Sequence, residues 1–223
     1  MTEGIRPGQT AGSFRAEEER CDGRTVDLPS WLVTTANEQV SATVAGLYGG
    51  RPRSRDRQQG SFELTLDSGA VAVSVDGSGG VVNRLVLDAG EERGPTHICD
   101  GLNFLEPMDN AGDPCGCPDS LFDRKAAARS GRGPKPDARL TFRLMAAPDL
   151  GLFNLTSSSW AFSESLSAAV AGMECGVTGT PMEICLRRKV FTTRSGMTAC
   201  FVRPVLSAVQ QEFATPNQLR LAA

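Results

Sequence analysis

The sequence lacks any apolar run close to the ~20 residues that a membrane-spanning helix needs. The segment from Met1 to Arg20 is polar and charged, and it has no apolar stretch of the kind found in secretory signals. The seven cysteines are odd in number and unevenly spaced, which does not suit a disulfide framework. We therefore expect no association with a membrane, a cytoplasmic location, and cysteines that are reduced thiols or metal ligands.

An excess of positive charge is also missing. The chain has 23 Lys and Arg against 26 Asp and Glu, which gives a net charge of −3. A protein that binds DNA mainly by neutralising phosphates is normally basic. The balance favours a protein or small-molecule partner and little or no binding to DNA alone, although a local basic patch is compatible with it.

The common catalytic motifs are absent from the sequence. There is no Gly-x-x-x-x-Gly-Lys phosphate loop, and the glycines of Gly77–Gly80 do not lead into a helix with dinucleotide-binding spacing. A Ser-His-Asp triad would have to use His97, which is the single histidine. The sequence therefore predicts a protein that is not an enzyme.

What the sequence does contain is a group of four soft or borderline metal ligands within a window of 21 residues: His97, Cys99, Cys115 and Cys117. On an extended backbone, residues two apart leave the same face, so His97 and Cys99 are expected to point the same way. Gly116 and Pro118 favour a tight turn that lets the sulfur atoms of Cys115 and Cys117 converge. The two pairs together predict a metal site.

Thiolate and imidazole are the ligands that zinc prefers, and a structural site needs four of them in a tetrahedron. We predict a structural zinc ion that holds together a central loop rich in Gly, Pro and Asp. The alternative is that His97 is an ordinary surface residue and no metal binds. A catalytic zinc is disfavoured, because no nearby carboxylate has a recognised catalytic spacing and Pro114–Cys117 lacks one residue of the deaminase pattern. Cys175, Cys185 and Cys200 are predicted to serve in packing.

The pattern of apolar residues predicts the α+β class, with mainly antiparallel sheets and two or three short helices around the cysteine-rich loop. We expect helices near residues 37–48, 119–129 and 163–173, a three-stranded meander over 62–66, 70–75 and 81–87, and hairpins over 139–146 with 151–159 and 183–193 with 197–206.

The predicted organisation has three parts. Residues 1–25 are expected to form a flexible arm, because the segment from Arg15 to Arg24 is crowded with charge and has no apolar periodicity. Residues 26–208 are expected to form a single compact domain, with two lobes joined around residues 94–136 as an alternative. Residues 209–223 are expected to form a polar C-terminal tail.

Several short motifs resemble those of a known family. They are Ile5-Arg6, Leu47-Tyr48-Gly49-Gly50, Ile98-Cys99-Asp100-Gly101, Cys115-Gly116-Cys117-Pro118, Gly133-Pro134-Lys135-Pro136 and Pro148-Asp149-Leu150-Gly151-Leu152-Phe153. In their order and spacing, over most of residues 5–206, they are similar to the actinobacteriophage recombination directionality factors that control large serine integrases. The family pattern supports Cys99, Cys115 and Cys117 as ligands. It has a fourth cysteine where this chain has Pro134, so the fourth ligand is His97, a carboxylate or water, or the site is lost.

The resemblance implies a regulatory protein in the bacterial host cell. Such a factor binds the integrase, with the protruding coiled coil as the expected contact region. It favours excision from the hybrid sites attL and attR and makes or breaks no bond itself. The rival hypotheses are a direct DNA-binding, excisionase-like factor, a metal-dependent hydrolase and another phage regulatory protein.

Three residues are candidates for contact with a partner: Arg187, Arg188 and Trp160. Arginine and tryptophan are common anchors at protein interfaces. The alternatives are that the two arginines only protect an edge strand with charge and that Trp160 belongs to the core.

Overall fold

The computed structural model describes residues 10–19, 25–56, 60–88, 95–172, 179–193 and 195–209. Within these ranges there are three α-helices: α1 (Glu38–Tyr48), α2 (Leu121–Arg129) and α3 (Trp160–Ala171). The same ranges contain twelve strands: β1 (Thr10–Glu19), β2 (Thr25–Thr35), β3 (Arg53–Asp56), β4 (Ser61–Thr65), β5 (Ala70–Val75), β6 (Val81–Asp88), β7 (Pro95–Cys99), β8 (Phe104–Glu106), β9 (Lys135–Leu144), β10 (Leu152–Ser157), β11 (Thr180–Thr192) and β12 (Thr198–Ala208).

Helices α1 and α2 begin where a side chain accepts hydrogen bonds from the first free backbone N–H groups. Asn37 accepts from Gln39 and Val40 at the start of α1, and Ser120 accepts from Asp123 at the start of α2. Helix α1 ends at Gly49, whose φ of 76° favours glycine. The first two predicted helices are confirmed, and the third begins before the predicted Ser163. In the described ranges, no helix has the length and apolar character needed to cross a membrane.

The strands form one extended network in the order β12-β11-β5-β9-β10-β1-β2-β4-β3. Strand β9 also pairs with β6, β6 pairs with β7, and β7 pairs with β8. Strands β1 and β10 are parallel, whereas the other described pairs are antiparallel. The predicted α+β class with mainly antiparallel sheets is confirmed.

The main core is built around a group of aromatic side chains from β1, β2, β9 and β10. The Phe14 ring lies 6.0 Å from the Trp31 ring, 5.4 Å from the Phe142 ring and 5.6 Å from the Phe153 ring, each in an edge-to-face arrangement. All four side chains are almost fully buried. Such pairs add to the free energy gained by burying the rings, so Phe14 links the four strands.

The prediction of a flexible arm over residues 1–25 is wrong for β1. This strand lies between β10 and β2, and its Ala11, Phe14 and Ala16 side chains are buried. A register shift between Arg15 and Glu17 interrupts the alternation, and the charged residues on the other face hide the apolar ones in the sequence. Residues 1–9 and 20–24 lie outside the described residues, as does the predicted tail apart from Val209.

The predicted meander is also wrong. Strand β4 pairs with β2 and β3, β5 pairs with β11 and β9, and β6 pairs with β9 and β7. The turns between β4, β5 and β6 therefore lead the chain to more distant strands. Both predicted hairpins, β9 with β10 and β11 with β12, are confirmed.

The central position of β1 generates a stability prediction. Replacing Phe14 with alanine is expected to lower the free energy of unfolding by about 3–5 kcal/mol, because it leaves a cavity among three other rings. Arg15 is exposed on the same strand, and Arg15→Ala is expected to change that free energy by less than about 0.5 kcal/mol. Urea unfolding followed by circular dichroism measures both. Equal midpoints for the two variants would show that β1 does not belong to the core.

Candidate metal centre

The first pair of candidate ligands lies on β7, at the outer part of the strand network. Cys99 pairs with Leu85 of β6, and His97 pairs with Leu87. Because side chains alternate along a strand, His97 and Cys99 lie on one face of β7, as the sequence predicted.

The second pair is brought back to β7 by a folded loop. The backbone N–H of Phe104 donates to the carbonyl of Asp113, and that of Cys115 donates to the carbonyl of Leu102, both at 2.9 Å. An isolated bridge joins Asn103 and Pro114 between these two hydrogen bonds. The segment leading to Cys115 and Cys117 therefore runs antiparallel to the segment that leaves Cys99.

The four side chains converge on one point. One ligand atom from each of His97, Cys99, Cys115 and Cys117 lies within 4.8 Å of the other three. The sulfur atoms of Cys99 and Cys117 are 3.7 Å apart, and the sulfur of Cys117 is 3.6 Å from Nε2 of His97. The sulfur–sulfur distance is far longer than a disulfide bond, and the cysteines of the cluster are free thiols.

These distances suit a tetrahedral metal ion. Two sulfur atoms that each lie about 2.3 Å from a tetrahedral zinc are about 3.8 Å apart, and a sulfur and an imidazole nitrogen are about 3.6 Å apart. The two measured distances agree with these values. The cluster can therefore hold a metal ion, and His97 rather than Pro134 completes the group of four.

A second, smaller group of apolar side chains covers part of the cluster. Cys99 is fully buried and Cys115 nearly so, and both pack with Leu85. Phe104, whose ring centre is 4.7 Å from that of His97, and Trp160 cover the sides. Burial raises the pKa of the Cys99 and Cys117 thiols and lowers the pKa of His97. A low pKa keeps the imidazole neutral, with a lone pair available, whereas the thiols need a cation nearby to ionise.

Helix α2 ties the two ligand-bearing segments together through Arg124. The guanidinium of Arg124 donates through Nη2 to the carbonyl of Gly101, at 2.9 Å, and through Nε to the carbonyl of Pro118. One of these carbonyls follows Cys99 and the other follows Cys117. Gly101 has a φ of 98°, and a Cβ atom there would meet the Arg124 guanidinium. Arg124 was not predicted, since neither its spacing nor its neighbours mark it in the sequence.

Arg84 fastens the outer strands to β9. Its Nε donates to Asp137 at 2.9 Å and its Nη1 donates to Glu106 of β8 at 3.1 Å. Burial alone would raise the pKa of Asp137, but the hydrogen bonds and charges of Arg139 and Arg84 outweigh it and hold the pKa below the ordinary value. The Asp137 carboxylate therefore stays ionised, and the guanidinium of Arg84 connects β9 to β8.

One known protein family matches most of the chain. A family model described as Gp3-like, recombination directionality factor-like, matches residues 4–208. The chain belongs to this family. The resemblance inferred from the sequence motifs is thereby confirmed. No solved structure matches the chain.

The other candidate residues of this family member lie outside the ligand cluster. Trp160 is half-buried against the cluster, with Nζ of Lys125 5.9 Å from its ring centre. Arg187 and Arg188 are exposed on β11. A role for these three residues in binding a partner stays a prediction.

The remaining cysteines have different surroundings. Cys185 is half-buried and Cys200 is exposed, so the predicted packing role of Cys200 is wrong. Cys200 lies on the part of β12 that extends past the core, where its thiol accepts a hydrogen bond from Nε of Arg188. Cys175 lies outside the described residues.

Proposed function

We propose that this chain is a recombination directionality factor that binds a large serine integrase and switches it from integration to excision at attL and attR. The observation that carries the proposal is the family match, which extends over residues 4–208. The sequence motifs are consistent with it, because they are distributed along the same span.

Such a switch requires no chemistry from the factor itself. A protein that binds one arrangement of the integrase–DNA complex more tightly than another shifts the population toward it, and a few kcal/mol of differential affinity is sufficient. The partner is the integrase in the host cytoplasm, with its coiled coil as the contact region. In this proposal the factor acts as a regulatory binding protein, and the integrase cuts and joins the DNA.

For the metal centre, we infer that His97, Cys99, Cys115 and Cys117 hold one zinc ion in a structural role. The agreement of two interatomic distances with tetrahedral geometry supports this inference. Protein ligands would then fill all four positions of the tetrahedron, which is typical of structural sites. The ion would link β7 to the loop of residues 112–117. Without the ion, only the small group of apolar side chains around Leu85 would hold this loop against β7, and it would hold the loop less firmly.

Cysteine replacement tests the metal centre. Purified wild-type protein and the Cys200→Ser variant are each expected to contain one zinc per chain by elemental analysis, because Cys200 lies outside the cluster. The Cys117→Ser variant is expected to lose the zinc, and its Tm is expected to fall by about 5 °C or more because the link between the two segments is gone.

A chelator provides the control for this experiment. It is expected to lower the Tm of the wild type to that of Cys117→Ser and to leave the variant unchanged. Zinc-free wild-type protein with the same Tm as the zinc-loaded form would contradict a structural metal.

A recombination assay tests the proposed switch. Adding the purified protein to its cognate integrase and attL/attR DNA is expected to raise excision about tenfold or more and to suppress the reaction between attP and attB, because only one complex is stabilised. The measurement is the fraction of recombined substrate on a gel. Equal excision with and without the protein would contradict the proposal, and a strong gel shift of attachment-site DNA without integrase would favour the excisionase-like rival.

A further inference from the structure

The hairpin of β11 and β12 extends beyond the rest of the strand network. The two strands pair continuously from Met182 with Ala208 to Thr192 with Thr198. Strand β5 pairs with β11 only as far as Cys185. We call residues 187–203 the β11–β12 arm, and among the described strands no third one pairs with it.

The arm concentrates positive charge in an acidic chain. It contains five basic residues and no Asp or Glu: Arg187, Arg188, Lys189, Arg194 and Arg203. The rest of the chain is left with 18 Lys and Arg against 26 Asp and Glu. This separation of charge makes the arm the natural contact point for an anionic surface.

Two of the arm's arginines lie in an arrangement that is unfavourable in the free protein. Arg187 is directly opposite Arg203 in the antiparallel pair, and like charges in such positions destabilise a hairpin. Among the described residues, no carboxylate forms an ion pair with either of them. An acidic partner surface would relieve this repulsion.

The arm also exposes apolar side chains, which indicate what kind of anionic surface it fits. Val190 is 60% exposed, Phe191 47% and Met197 67%. Phe191 lies edge-to-face with Phe201 at 5.6 Å, and the Arg203 guanidinium lies 4.3 Å from the centre of the Phe201 ring. Aromatic residues, methionine and arginine are the types enriched in protein interfaces. A row of phosphates would leave the apolar groups uncovered, so a protein surface fits better than DNA.

We propose that the β11–β12 arm docks on an acidic, partly apolar surface of the serine integrase. The proposal rests on the proposed function for the identity of the partner. Arg187, Lys189 and Arg203 provide the attraction and accelerate the encounter, and the exposed apolar side chains at the end of the arm provide the buried contact. The binding is therefore sensitive to salt.

Charge reversal on the arm tests the proposal that the β11–β12 arm docks on the integrase. The double variant Arg187→Glu/Arg203→Glu replaces one like-charged opposite pair with another, so that the repulsion within the hairpin is retained while the sign changes. Its affinity for the cognate integrase, measured by biolayer interferometry, is expected to be about 20-fold or more weaker than that of the wild type. The matched control is Arg132→Glu/Lys135→Glu, which changes the net charge equally at exposed positions outside the arm and places no carboxylate opposite another one in a described strand pair. This control is expected to bind within about threefold of the wild type.

A second variant keeps the test informative if the charge reversal lowers the Tm. Val190→Ser/Phe191→Ser removes exposed apolar groups and is expected to weaken integrase binding about tenfold. Wild-type affinity for both arm variants would overturn the docking proposal while the proposed function stands. Failure of the wild type itself to bind integrase would overturn both. Loss of binding to attachment-site DNA, with integrase affinity unchanged, would overturn the protein partner in favour of DNA.

Discussion

The convergence of three thiols and one imidazole is the constraint on which the outer part of the structure depends. His97 and Cys99 come from a strand, whereas Cys115 and Cys117 come from a loop with few buried side chains of its own. Burial raises the pKa of Cys99 and Cys117, so without a cation these thiols are neutral and contribute little beyond packing. With a cation, the burial of Cys99 and Cys115 strengthens their bonds to the metal, because water has little access to those two sulfur atoms.

The rest of the fold provides a rigid base for this centre. The aromatic group around Phe14 and Trp31 holds the main core, and β9 carries the outer strands through its pairing with β6. Asn83 of β6 extends the connection to α3, since its side chain donates to the Ser163 carbonyl and to the Ser167 hydroxyl, both at 2.8 Å. The hydrogen bonds of Arg84 connect β8 to β9, and those of Arg124 connect α2 to the two ligand-bearing segments. In the proposed regulator, this construction leaves the β11–β12 arm as the extended element that is free to meet a partner.

Much of this arrangement was predictable from local patterns. The spacing of His97 and Cys99 indicated a shared face, and Asn37 and Ser120 marked helix starts, because both signals depend only on neighbouring residues. Strand β1 was missed because Arg15, Glu17 and Glu18 mask its buried face. The pairing of β4, β5 and β6 was missed because strand order depends on contacts between distant segments. The role of Arg124 depends on two carbonyl groups that only the fold brings together, so no pattern in the sequence reveals it.

His97, Cys99, Cys115 and Cys117 are proposed to form a tetrahedral zinc centre that links strand and loop. X-ray absorption spectroscopy at the zinc edge of the purified full-length protein tests it most directly, because it reports the atoms bonded to the ion. A zinc ion bound by these four residues is expected to show three sulfur atoms at about 2.3 Å and one nitrogen at about 2.0–2.1 Å. A shell made only of oxygen and nitrogen, or fewer sulfur atoms with bound water, would contradict it.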